Sequence, residues 1–140
     1  MEDVSRGATP DRQRRLSAWL LPAGLYVAIT VQSSFTIHMP VIAERFQDKI
    51  LHAVVFGLLG ALLARAVSRG STRQPSALVT VVIATTVAGL LGGLDEVHQL
   101  FVPGRSADVY DALADVVGAA LGASAYTVGA RLWAWRTREA

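Results

Sequence analysis

Residues 74–94, QPSALVTVVIATTVAGLLGGL, run for 21 positions without a charge. A bilayer hydrocarbon core about 30 Å thick takes roughly 20 mostly apolar helical residues, and this stretch meets that requirement alone. Further uncharged runs occupy residues 16–43, 50–64 and 116–130, so the four together hold 79 of the 140 residues. The chain is 52% apolar and 17% charged, whereas a soluble domain carries nearer a quarter charged residues. This excludes a secreted globular protein and an ordinary soluble enzyme. The absence of cysteine excludes a disulfide framework, Cys-ligated zinc and thiol catalysis. The net charge of +2 comes without a glycine-rich phosphate loop, zinc-finger spacing or a basic helix with interleaved aromatics, so no nucleic-acid partner is expected.

The expected architecture is all-α, a bundle of four transmembrane helices. Spans are placed at about 16–37, 50–67, 77–94 and 112–135, making residues 16–135 the membrane domain between tails at 1–15 and 136–140. Pro22 falls in the first turns of span one, where a missing N–H is tolerated, or marks the true helix start. Trp133 and Trp135 suit an interfacial aromatic belt. The tail, the second loop and the C-terminal end hold ten basic residues against four acidic ones (Glu2, Asp3, Asp11 and Glu139), a balance of +6. The other two connections hold Arg45, Lys49 and Arg105 against seven acids, a balance of −4. Positive-inside logic therefore places both termini in the cytoplasm and the acidic connections outside.

The acidic side carries ionisable residues at helical spacing. Asp48 and His52 are four apart and stack on one helix face, with Lys49 beside them. Asp95, Glu96 and Gln99 form a second such face. Asp108, Asp111, Asp115, Gly118 and Gly122 form a third, at alternating spacings of three and four. Ionisable residues at membrane depth are expensive and pair with one another or face a wet interior, so convergence on one outward-facing polar cavity is expected. Pro103-Gly104 suits the centre of a type II turn. That turn would throw Arg105 back over the cluster, to hold a carboxylate or phosphate through its planar guanidinium. Ser106 or Asp108 would cap the fourth helix.

Plainer readings stand beside these. Asp48 and Asp108 suit helix caps and Asp111 a favourable helix dipole; Lys49 and Arg45 suit snorkelling to headgroups. His52 suits a structural donor, and His38, His98 and Glu44 suit structural or solvated roles. Gly118 and Gly122 read chiefly as a close-packing pair. Asp115, inside an apolar run, has no capping explanation.

The motif Asp48-Lys49-x-x-His52-x-x-x-Phe56 is followed by Leu94-Asp95-Glu96-x-x-Gln99-x-Phe101-Val102-Pro103-Gly104-Arg105-Ser106-x-Asp108-x-x-Asp111-x-x-x-Asp115-x-x-Gly118. Together these resemble the VanZ-like family of small bacterial membrane proteins, over about residues 48–122. The family often has Asn where this chain has Asp115. The resemblance implies a multi-pass protein of the bacterial cytoplasmic membrane, and the family's namesake is associated with low-level resistance to the glycopeptide antibiotic teicoplanin.

Two functions follow from the polar cluster. In the first, which ranks higher, Asp48, Lys49, His52, Asp95, Glu96, Gln99, Arg105, Ser106, Asp108, Asp111 and Asp115 bind the headgroup of a membrane lipid or lipid-linked envelope precursor, altering glycopeptide access. In the second, Glu96 or Asp95 acts as general acid or base on an envelope lipid, helped by His52, with Arg105 stabilising negative charge. Ser106 is the hydroxyl singled out for such chemistry. A divalent-metal variant would use His52, Glu96 and Asp111 or Asp115; one histidine with several carboxylates favours a hard ion or no metal over a zinc site, and no metal or cofactor is expected.

Overall fold

The computed structural model describes residues 10–35 and 44–139. The first nine residues, the expected end of span one at 36–37, and His38 lie outside the described residues, as do the side chains of Asp11, Glu44 and Arg45. The described residues form five helices and no strand: α1 (Pro10–Ser17), α2 (Leu20–Ser33), α3 (Glu44–Gly70), α4 (Ala77–Gln99) and α5 (Val109–Arg136). Among the described residues, four stretches are long and apolar enough to cross a membrane, Arg12–Ser33, Gln47–Gly70, Ala77–Gln99 and Val109–Arg136.

The first span is α1 and α2 joined by a tight turn. Pro22 has no N–H for the carbonyl four residues back. Just before it, Trp19 N–H bonds the Leu16 carbonyl three residues back (3.1 Å), and Ala23 N–H resumes the four-residue ladder on Trp19 (3.1 Å). Leu20 therefore starts α2, with Pro22 in its first turn.

The other helices run past the expected boundaries, mainly at the acidic end. Charge marks where an apolar run stops, but backbone hydrogen bonding continues wherever polar side chains find partners. Asp48 thus lies inside α3 rather than at its start, and Asp95, Glu96 and Gln99 occupy the last turns of α4. The remaining ends are capped locally. Ser76 accepts from Val79 N–H at 3.2 Å to open α4, and Asp108 accepts from Tyr110 N–H at 2.8 Å to open α5.

Small residues set the packing. A side chain on Gly118 would collide with the Ala53 backbone, one on Gly122 with Gly57, and one on Gly60 with Ala119. α3 and α5 therefore meet backbone to backbone, the close-packing role expected for Gly118 and Gly122. α4 packs on both helices, and α2 packs on α3 and α4. The interior is built from Phe56, Leu59, Leu63, Ala64, Ala84, Ala88, Ala119 and Ala123. Large apolar side chains lie outside it: Leu78, Leu90, Leu121 and Val128 are all exposed. A water-soluble bundle buries its leucines and exposes its acids. Here Asp95, Glu96, Asp111 and Asp115 are buried instead, the arrangement that suits a lipid solvent.

Candidate functional site

The acidic end of the bundle gathers side chains from α2, α3, α4, α5 and the loop between the last two. The loop is fixed by the expected turn: Gly104 has φ 81°, and Arg105 N–H donates to the Val102 carbonyl at 3.1 Å. These are the marks of a type II turn, whose third residue needs the positive φ that glycine adopts freely.

One branch of the site runs through Asp95. Its Oδ1 accepts from Ser33 Oγ at 2.6 Å and its Oδ2 from Gln99 Nε2 at 2.9 Å. The other end of the Gln99 amide, Oε1, accepts from Arg105 Nη2 at 2.7 Å and Nε at 3.2 Å. Arg105 thus holds an amide oxygen rather than a carboxylate. The glutamine relays its orientation to Asp95, and the guanidinium keeps an undivided charge.

A second branch joins Glu96, Asp108, Lys49 and Asp111. Glu96 Oε2 accepts from the Asp108 backbone N–H at 2.6 Å. Asp108 Oδ2 and Asp111 Oδ1 each accept from Lys49 Nζ at 2.8 Å, and the ammonium also stands 5.8 Å from the Tyr110 ring centroid. The capping role of Asp108 and its role in the cluster are therefore simultaneous, one oxygen serving each.

The third branch is a His–Asp pair. His52 Nδ1 and Asp115 Oδ1 are 2.9 Å apart, with the imidazole stacked on Phe56 at 6.3 Å and 6°. Asp115 is fully buried (0% exposed). Its second oxygen, Oδ2, lies against Gly92, where an added Cβ would come within 2.6 Å. Asp115 Oδ2 and Glu96 Oε1 are buried with no hydrogen-bond partner among the described residues. Among the described residues, two sets of side chains have the spacing to hold a metal ion, His52 with Glu96 and Asp115, and Asp48 with His52 and Asp111.

Every sequence-predicted site residue except Ser106 enters these branches or the metal-capable sets. Ser106 is exposed on the loop. The cluster is closed over its deepest carboxylates. Two clefts of about 500 Å³ each open at the opposite, arginine-rich end of the bundle, lined by residues including Arg14, Arg65, Arg69, Arg131 and Arg138. The VanZ/LLP1 family profile matches residues 9–132. The chain belongs to the VanZ/LLP1 family. No curated protein and no solved structure matches it.

In this VanZ/LLP1 protein three contributors from the first span escaped the sequence reading. Ser33 completes the Asp95 branch, Ser34 Oγ meets His98 Nε2 at 3.0 Å, and Tyr26 donates to the Leu91 carbonyl at 3.2 Å. The available signal was the pair of hydroxyls at the end of an otherwise apolar run. Serine in a membrane helix ordinarily bonds its own backbone, as Ser33 also does to Thr30, and that default hid the tertiary role.

Proposed function

We propose that this VanZ/LLP1 protein is a binding module of the bacterial cytoplasmic membrane, with both termini inside, whose outward acidic end receives the anionic headgroup of a lipid or lipid-linked envelope precursor. The observation that carries the reading is Arg105. Its side-chain hydrogen bonds go to the neutral Gln99 amide, which among the described residues leaves its charge uncompensated by direct contact and N–H groups available for a phosphate. Lys49 by contrast is committed to Asp108 and Asp111. The rim that a headgroup would meet is Arg105, Ser106 and Asp108, with buried carboxylates beneath it.

Native mass spectrometry of the detergent-solubilised protein with a short-chain polyprenyl phosphate tests the reading. Wild type retains the lipid and Arg105→Gln binds it at least tenfold more weakly. Equal retention by both proteins would overturn the role of Arg105. An effect on glycopeptides is read separately, as teicoplanin susceptibility of a sensitive Gram-positive host expressing wild type or Arg105→Gln at matched membrane abundance; protection by wild type alone is the expected result.

An acid–base reading has one specific observation in its favour. The His52 and Asp115 contact leaves Nε2 as the outer nitrogen of a histidine oriented by a buried carboxylate, the geometry of a proton carrier. Asp95, with both oxygens already accepting hydrogen bonds, is less suited to that role than His52 or Glu96.

A further inference from the structure

Besides Asp111, which the Lys49 ammonium holds, three carboxylates, Asp95, Glu96 and Asp115, are each at least nine-tenths buried within one end of the bundle. Among the described residues, the cation in direct contact with these three is at most one, a protonated His52 on Asp115. Arg105 reaches Asp95 through a neutral amide, and Lys49 is engaged with Asp108 and Asp111. Asp95 is neutralised in part by two good donors. Glu96 and Asp115 each use one oxygen and leave the other, Oε1 and Oδ2, buried without a partner. A buried carboxylate oxygen with no partner has lost its hydration without replacement, and one such atom in a native protein calls for an explanation. Two of them beside one imidazole share a single explanation.

We propose that His52, Glu96 and Asp115 bind a divalent metal ion of the Mn²⁺ class. Donor atoms of these three residues all lie within 4.8 Å of one another. Ligands held about 2.0–2.2 Å from an ion stand at most roughly 4.4 Å apart, so a few tenths of an ångström of side-chain rotation close the set. Two carboxylates with one imidazole suit a hard-to-borderline ion. The elements that bring the ligands together are rigid: His52 is on α3 and Asp115 on α5, across the glycine contact, while Glu96 is anchored from behind by the Asp108 backbone. The alternative set of Asp48, His52 and Asp111 shares the histidine, but its Asp111 already holds the Lys49 ammonium at 2.8 Å, a charge that repels a second cation. The metal site is independent of headgroup binding at Arg105, and each can fail without the other.

The experiment uses the full chain in detergent, stripped with a chelator and free of added lipid, and follows added Mn²⁺ by electron paramagnetic resonance. Wild type is expected to remove one equivalent of the free-ion signal and to show nitrogen modulation from a coordinated imidazole. Glu96→Gln and Asp115→Asn should each weaken binding at least tenfold, and His52→Gln should abolish the nitrogen modulation. Failure of the wild type to sequester Mn²⁺ at about 1 mM overturns the proposal, and that readout needs no variant to fold. It is equally overturned if Asp48→Asn abolishes binding while Asp115→Asn retains it, because the ion then occupies the outer set.

Discussion

Gln99 stands between an arginine and a buried aspartate and serves both with the two ends of one amide. Truncating it leaves Asp95 Oδ2 without its donor and turns the Arg105 guanidinium loose. Gln99→Ala is therefore expected to destabilise the protein by about 1–3 kcal/mol, read as a lowered denaturation midpoint in detergent. Ser33→Ala removes the donor to the other oxygen of Asp95 and should cost a similar amount. An unchanged midpoint in both variants would mean that Asp95 is satisfied by other groups. At this scale the sequence was informative about which polar residues matter and silent about who bonds whom. Arg105 is the instructive case. Spacing placed it over the acids, where Coulomb attraction favours a carboxylate, but Gln99 lies on the same buried turn as Asp95 and takes the guanidinium first.

Between elements, the contact of α3 with α5 is decided by missing side chains. Gly122→Leu forces apart two helices that touch through their backbones, and overpacking of this kind commonly costs 1–3 kcal/mol and sometimes more. The expected result is a severe loss of monodisperse protein on size-exclusion chromatography. Gly129 lies on the same helix with nothing within 4 Å of an added Cβ. Gly129→Ala should leave the protein intact and stabilise it by about 0.5–1 kcal/mol through helix propensity, seen as a raised midpoint. The contrast was half legible: the four-residue spacing of Gly118 and Gly122 announced a packing face, but its partners Ala53, Gly57 and Gly60 became identifiable only once α3 and α5 were in register. The turn at Pro103-Gly104 was legible outright, because a positive φ at its third residue is a local demand that few residues other than glycine meet.

Across the described residues, polar and apolar surfaces are inverted relative to a soluble bundle, with four acids inside and most leucines outside. The distribution of arginines adds a direction, and the proposed orientation has a direct check, since the chain has no cysteine of its own. Ala107→Cys and Thr72→Cys place single thiols on exposed residues at opposite ends. A membrane-impermeant maleimide should label position 107 in intact cells and position 72 only after permeabilisation; the reverse pattern would invert the topology. The number of spans was readable from uncharged runs because lipid imposes a length that sequence must meet. The depth of the cluster was not, since a charge ends a hydropathy window whether it faces lipid, water or another helix.

Asp108 illustrates what this means for genetics. Its backbone N–H anchors Glu96, one oxygen caps α5 and the other meets Lys49 of α3. Such a residue is pleiotropic: a loss-of-function allele there reports the collapse of a junction and carries no message about chemistry. The diagnostic alleles are the isosteric ones at Glu96 and Asp115. Glutamine and asparagine keep an oxygen for the Asp108 N–H and for His52, remove the charge, and put an NH2 group where the oxygen without a partner stood.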